Sequence, residues 1–372
     1  MVRAKLHIEQ IQRDSDIITG RDDVICLDRN ERVSAFTDDQ LRNMLSGLSS
    51  ASFNMYPNLG PLYERLQSQT GVDASQIAIG GGSDAIIRRI FQAFVAPGDV
   101  VVAPDPSYGM YRVWSRVYEA EFKTVPYSKG PNFAFDLETL IAEIESGARV
   151  CFIANPDQPT GATLEISVLR RIAEICERSD TLFVIDEAYY PFHAETALPL
   201  LEDFKNTLVV RTFSKVGGIA GLRVGYGLGA PNVINALQAV RSPGEVNSAG
   251  ATIATYLLDH RDIMEDFRSE VEEGRHLLIA AAESMGFIAP SCAGNFQLLY
   301  CPTGVEPSVL IAGLKERGYL IKGGFKHPGL ENYVRVTLDG PAIMTLFLEK
   351  LGDVMACLCK KNVSNEETVR GY

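Results

Sequence analysis

The chain has 372 residues, 46% of them hydrophobic and 22% charged, with a formal net charge of −12. That length suffices for a sizeable core and two domains, and the composition is that of an ordinary globular protein. The acidic balance argues against a nucleic-acid surface, which needs an excess of Lys and Arg, but it leaves room for a small anion in a local basic pocket.

In chain order, residues 1–45 read as an N-terminal arm with part of a small domain. Apolar runs at 77–79, 100–103, 150–154, 182–185 and 208–210 follow. Most are nearly unbroken, as expected of parallel strands buried on both faces. Amphipathic patterns at 83–94, 108–118, 137–145 and 167–177 alternate with them and predict helices. The expected architecture for 46–258 is α/β, a mostly parallel central sheet with helices on both faces. A long amphipathic helix over 259–285 comes next, then strand-like runs at 296–300, 319–322 and 333–338, and a final helix over 342–360. These predict a smaller C-terminal α/β domain over 259–372.

Seven scattered cysteines without CxxC spacing predict reduced thiols, and five histidines with no close pairing point away from a metal centre. The start, Met1-Val2-Arg3-Ala4-Lys5, leads into polar sequence, and no apolar run approaches the roughly 20 residues of a membrane helix. The expected location is cytoplasmic, with no membrane partner and no nucleic-acid partner.

The chemistry collects where predicted strands end, since ligands of open parallel sheets lie at their carboxyl ends. After 77–79 comes Gly80-Gly81-Gly82-Ser83-Asp84, a turn whose amides open a helix and can face an anion. After 150–154 comes Asn155-Pro156-Asp157-Gln158-Pro159-Thr160-Gly161, and after 182–185 comes Asp186-Glu187-Ala188-Tyr189. After 208–210 comes Thr212-Phe213-Ser214-Lys215, then a glycine-rich loop and Arg223. An amine flanked by hydroxyls and an arginine can form a Schiff base and grip a phosphate, the two things pyridoxal phosphate needs from a protein. Taken singly, each feature has a plainer reading. Lys215 is then a solvated charge, Asp186 a cap, Tyr189 and Tyr108 packed rings, and Arg335 a surface strand residue. The convergence of four strand ends carries the argument.

Tyr56-Pro57, Gly82-Ser83-Asp84, Tyr108-Gly109-Met110-Tyr111, Pro159-Thr160-Gly161, Asp186-Glu187-Ala188-Tyr189, Ser214-Lys215 and Ala220-Gly221-Leu222-Arg223 occur in this order. In that order and spacing the chain resembles the fold-type I pyridoxal-phosphate enzymes, and among them the histidinol-phosphate aminotransferases, from about residue 27 to the end. The resemblance implies that Lys215 forms the Schiff base and acts as the acid/base of the proton shift. It implies that Asp186 holds the pyridinium nitrogen protonated, that Tyr189 bonds the phenolic oxygen, and that Tyr108 stacks on the ring. Gly82, Ser83, Asp84, Thr212, Ser214 and Arg223 would hold the phosphate, with Tyr56 reaching it from a neighbouring subunit of a homodimer with shared active sites. Arg335 would grip the acidic end of a small-molecule amino or keto substrate.

Three departures bear on the substrate. Gln158 stands where the family has an asparagine touching the ring's phenolic oxygen. Lys322 stands where the family has a second anion-binding arginine, and a point charge does not replace a fork. No tyrosine precedes Tyr56. The arm carries Asp28-Arg29-Asn30-Glu31-Arg32 instead, so Asn30 joins Arg335 and Lys322 as a substrate candidate, with Arg29 and Arg32 as sources of charge. The expected function is a transaminase with glutamate as donor, acting on a small acidic or phosphorylated compound other than histidinol phosphate. The alternative is a decarboxylase of a phosphorylated amino acid such as O-phosphoserine or O-phosphothreonine. A cofactor-sensing transcription regulator would need a DNA-binding domain for which the chain has no spare basic stretch.

Overall fold

The computed structural model describes residues 2–11, 21, 23–128, 133–134 and 136–369, with the backbone alone from 359 onward. They fall into two compact units. The first contains Phe36–Ser128 and Phe133–Met264 with the described residues before 12, and the second contains described residues of 21–35 and those from 265 onward. In chain order the strands are β1 (Ile25–Leu27), β2 (Ile77–Gly80), β3 (Val100–Asp105), β4 (Glu121–Pro126), β5 (Ala148–Ala154) and β6 (Leu182–Asp186). They continue with β7 (Thr207–Thr212), β8 (Gly225–Gly229), β9 (Phe296–Tyr300), β10 (Tyr319–Ile321) and β11 (Tyr333–Thr337).

Strands β2 to β8 form one seven-stranded sheet of order β2-β8-β7-β6-β5-β3-β4. Strands β4, β3, β5, β6 and β7 are mutually parallel, whereas β8 runs against both of its neighbours, β7 and β2. The mostly parallel sheet expected from the apolar runs is present. Its alternate side chains divide between two cores, because successive residues of a strand point to opposite faces. Ile79, Val102, Ile153, Phe183, Ile185 and Val209 pack on one face with Leu62, Leu66, Ile144, Ile172 and Leu257 from helices. Ala78, Val101, Phe152, Val184, Leu208 and Val210 pack on the other with Ile87, Ile90, Tyr111 and Leu237. Helices therefore cover both faces, as the sequence predicts.

Two strands of this sheet, β4 and β8, escaped the apolar pattern. β4 lies at the edge and alternates charged with apolar residues, and its Lys123 pairs with Glu143 at 2.7 Å. β8 reads Gly-Tyr-Gly-Leu-Gly, a composition that propensity assigns to a loop. The expected helix over 259–285 is present as Asp262–Ser284, and a further helix, Ser248–Asp259, precedes it. His260, whose backbone φ is −124° and ψ 65° and whose amide donates to the Tyr256 carbonyl, ends the preceding helix.

In the second unit β1 pairs in parallel with β10, and β9 pairs antiparallel with β11. A bridge between Lys322 and Arg335 joins β10 to β11. Helices Pro307–Lys315 and Pro341–Val369 belong to it as well. No helix of the described residues is long and apolar enough to cross a membrane.

The glycines of β8 have a packing role. A Cβ on Gly225 would run into the Ser83 nitrogen and the Gly82 carbonyl carbon, and would sit 2.9 Å from the Arg211 oxygen. All three are backbone atoms that cannot swing away. Strand and helix start approach this closely only because residue 225 has no side chain. Gly225→Ala is expected to destabilise the protein by about 1–3 kcal/mol through overpacking. Urea unfolding of the cofactor-free protein measures this, and a wild-type midpoint would show that the turn can shift.

Candidate active site

The larger unit brings the strand-end motifs together. Asp186 ends β6 with 4% of its surface exposed. It accepts a hydrogen bond from the Tyr111 hydroxyl at 2.8 Å and another from the Ala188 amide at 3.1 Å. Burial pushes its carboxyl up to about 6 in spite of these two donors, and the neighbouring carboxylates Asp84 and Glu187 add to the rise. The Lys215 ammonium, after β7, lies 5.6 Å from the centre of the Tyr189 ring. The Tyr108 hydroxyl is pushed up by burial, and it feels the charges of Asp84, Asp186, Tyr189 and Arg223. One crevice thus collects the ends of β2, β3, β6 and β7.

The phosphate candidates form a cradle. Gly82 caps the helix Ser83–Phe94 at φ +88°, a conformation that favours glycine. A Cβ there would meet Arg223 Nη2 at 2.5 Å, so the guanidinium lies directly over the turn. Arg223 donates from Nη1 to Ser214 Oγ at 3.2 Å, and the Thr212 hydroxyl donates to the same oxygen at 3.0 Å. Amides at a helix N-terminus, two hydroxyls and a guanidinium are groups suited to a dianion.

Several residues that hold this arrangement were not singled out from sequence. Tyr111 is fully buried, stacks on Phe152 at 4.4 Å and meets Tyr108 edge-on at 5.5 Å. It thereby ties Asp186 to the Tyr108 ring. Glu187 and Arg211 form a buried ion pair at 2.8 Å, and Thr196 bonds both of them. Arg211 also lies 3.7 Å from the Tyr190 ring centre. This network pins the segment after β6 on which Tyr189 stands. The Tyr108–Tyr111 spacing on one helical face was a usable signal for Tyr111. For Glu187 and Arg211, which are far apart in sequence, there was none.

Gln158 is half-buried and follows Asp157, which is 1% exposed. Asp157 accepts from the Ser107 hydroxyl at 2.5 Å and from Thr160 at 2.8 Å. It links the segment carrying Tyr108 to the one carrying Gln158. Tyr56 lies in solvent at 88% exposure, and a Cβ on Gly244 would stand 3.3 Å from its ring.

The substrate candidates belong to the second unit. Arg335 is 4% exposed, donates to the Asp28 carbonyl at 2.8 Å and covers the Phe296 ring at 5.5 Å. Lys322 is its direct antiparallel partner, through backbone bonds of 3.0 and 2.7 Å, and its side chain is exposed. Asn30 is buried. Its amide donates to Thr337 Oγ1 at 2.9 Å, and its carbonyl accepts from Asn295 at 3.0 Å. Arg29 pairs with Asp28 at 3.6 Å, and Arg32 lies 4.5 Å from the Phe267 ring centre.

The family model for class I and II aminotransferases matches residues 56–345. The chain belongs to that family. It is 32% identical over 316 residues to a histidinol-phosphate aminotransferase of Thermoanaerobacter sp. (strain X514), covering 84% of this chain and 88% of the relative. The structure of a histidinol-phosphate aminotransferase from Sinorhizobium meliloti, in complex with pyridoxal-5'-phosphate, superposes with a TM-score of 0.85 at 24% identity. That match covers 96% of this chain and 99% of the other. An L-threonine-O-3-phosphate decarboxylase from Porphyromonas gingivalis gives a TM-score of 0.74 at 24% identity over 90% of this chain and 100% of its own. At these identities the two structures share the fold.

The protein is a fold-type I, pyridoxal-phosphate-dependent aminotransferase, similar to the histidinol-phosphate enzymes. The residues present fit the cofactor. The Arg223 guanidinium can lie over the Gly82 turn only because a Cβ is missing there, and the buried Asp186 has among the described residues a phenol and an amide for partners but no cation.

Tyr111→Phe keeps the ring stacking and removes one donor to the Asp186 carboxylate. Its pKa should rise above its present value of about 6, and affinity for the cofactor should fall about tenfold. Fluorescence titration with pyridoxal phosphate measures this, and unchanged affinity would remove Tyr111 from the site. A second expectation concerns pH. Burial raises Asp157 from 3.8 to about 7, so the folded state holds a proton that the unfolded chain has released. Stability of the cofactor-free protein should fall as pH rises from about 4 to about 7. Asp157→Asn should flatten that slope in urea-unfolding midpoints, and an unchanged slope would place its origin elsewhere.

Proposed function

We propose that this aminotransferase takes its amino group from glutamate and passes it to a small acidic or phosphorylated keto compound other than the histidinol-phosphate pair. The observation that carries the reading is Lys215 facing Tyr189 in the crevice where Asp186 lies buried. Bound pyridoxal phosphate supplies an aldehyde for the amine and an electron-withdrawing ring. Lys215 Nζ takes the proton from the amino-bearing carbon and returns it at the other end of the transfer. The Asp186 carboxylate holds a proton at the ring nitrogen, and its burial strengthens that bond. The Tyr189 hydroxyl and the Gln158 amide would hold the phenolic oxygen, and the Tyr108 ring would stack on the cofactor. Gly82, Ser83, Asp84, Thr212, Ser214 and Arg223 hold the phosphate end.

Arg335, with Lys322 and Asn30, takes the acidic end of the substrate. Lys322 supports a substrate different from histidinol phosphate, because an ammonium cannot bond a phosphate in the forked manner of arginine. Tyr56 supports a homodimer in which it reaches the partner's cofactor phosphate. It is 88% exposed, and Phe53 at 77% and Met55 at 67% extend the uncovered surface around it. The cytoplasm is the expected compartment.

Mixing cofactor-loaded protein with L-glutamate should convert the visible absorption band to that of the amine form within one turnover. Lys215→Ala should lose the band and at least about a thousandfold in rate. A survey of phosphorylated amines and amino acids then finds the second substrate, and turnover of histidinol phosphate alone would overturn the substrate reading. A band unmoved by glutamate, with carbon dioxide released from O-phosphoserine or O-phosphothreonine, would replace transamination by decarboxylation.

A further inference from the structure

The loop that follows β5 is closed by its own bonds. The Asn155 side chain accepts from the Leu164 amide at 2.8 Å and donates to the Leu164 carbonyl at 3.2 Å. Inside that pair, the Asp157 amide donates to the Ala162 carbonyl and the Gly161 amide to the Asp157 carbonyl, each at 2.8 Å. None of these bonds calls on the Asp157 carboxyl, which is 1% exposed. Its Oδ1 takes the Ser107 hydroxyl at 2.5 Å and its Oδ2 the Thr160 hydroxyl at 2.8 Å. The carboxyl also accepts from the Gln158 and Thr160 amides. One carboxyl thus serves its own loop and reaches out of it, to the residue before Tyr108.

Tyr108 opens the helix Gly109–Val117, and its side chain makes no capping bond there. The turn is pinned on both sides by buried carboxyls. Tyr111 donates to Asp186 at 2.8 Å and meets the Tyr108 ring edge-on, while Ser107 donates to Asp157. Strands β5 and β6, which lead into these two carboxyls, are adjacent and parallel, and the Asn155 amide donates to the Asp186 carbonyl at 2.9 Å. Asp157 and Asp186 therefore stand at one end of the sheet and grip one turn. Filling the space would not call for an acid, which is costly to bury. Burial pushes the Asp157 carboxyl up to about 7 in spite of its two hydroxyl and two amide donors.

We infer, on the placement of Tyr108 and Gln158 at the cofactor ring proposed above, that Asp157 is a positioning residue of the cofactor site. Through Ser107 and Thr160 it holds the segment bearing Tyr108 at a set distance from the segment bearing Gln158, and so sets the tilt of the ring between them. Asp157 moves no proton in the transfer and acts through these two hydroxyls. The Gln158 side chain has one more rotatable bond than an asparagine, so the precision of its contact depends on where its backbone is held. Ring tilt in turn decides how well the reacting bond is aligned, and small misplacements there cost rate.

The test uses the cofactor-loaded protein and reads the visible circular dichroism per bound cofactor, which reports the asymmetry of the ring's setting and not the fraction folded. Asp157→Ala should lose most of that signal, with cofactor affinity about tenfold weaker. Asp157→Asn keeps one oxygen and can donate to the second hydroxyl, so it should retain the signal. Ser107→Ala and Thr160→Val each cut one of the two links and should each lower it, and they carry the test if Asp157→Ala does not fold. A lowered unfolding midpoint with unchanged dichroism in these variants would make Asp157 a structural residue and overturn the inference. Tyr108→Leu and Gln158→Ala, which remove the ring contacts themselves, should both alter the dichroism. If they do while the Asp157, Ser107 and Thr160 variants do not, the coupling alone is wrong. If they do not, the placement of the ring falls and the inference with it.

Discussion

Asp186 ends a central strand with 4% of its surface exposed, and its described partners are one phenol and one backbone amide. A carboxylate so placed is expensive to bury, and burial, helped by Asp84 and Glu187, pushes it up to about 6 in spite of the two donors. Much of the larger unit is arranged around keeping it there. Tyr111 reaches it because the ring is wedged between Phe152 and Tyr108. The segment beyond it is held by the Glu187–Arg211 pair, with Thr196 bridging. In the role proposed for Asp186, a protonated ring nitrogen would supply the missing positive charge, and the cofactor would become part of the electrostatic balance of the fold.

The phosphate end obeys a steric constraint as much as an electrostatic one. Gly82 lets the Arg223 guanidinium lie against the turn, and Gly225 lets β8 lie against the start of the helix Ser83–Phe94. The strand least recognisable by composition is therefore the one packed against the helix start of the cradle. Its glycines weaken it as an isolated strand, but flanking pairings with β7 and β2 hold it in place. A side chain at either position would disturb the same helix terminus, the one proposed to hold the cofactor phosphate.

The parallel strands were legible because burial on both faces leaves an almost unbroken apolar signal, as in Leu182–Asp186. The motifs at their ends were legible for the same reason, since a polar residue directly after such a run has few other places to go. β4 was hidden by its position at the edge, where water permits Glu121 and Lys123. β8 was hidden because its glycines answer to a neighbour brought close only by folding. Glu187 and Arg211 were individually visible, but their pairing spans a register between β6 and β7 that no local pattern contains.

The sequence alone determined the alternation of buried strands with amphipathic helices, the order of the polar motifs, and the kind of chemistry they serve. Those properties depend on local periodicity and residue type, which survive without coordinates. Only the tertiary structure decided which donors reach the Asp186 carboxyl. It also decided that Ser107 and Asp157, 50 positions apart, meet in a hydrogen bond. Such outcomes depend on distances across the sheet and on what each polar atom meets after desolvation, and neither is a property of neighbouring letters.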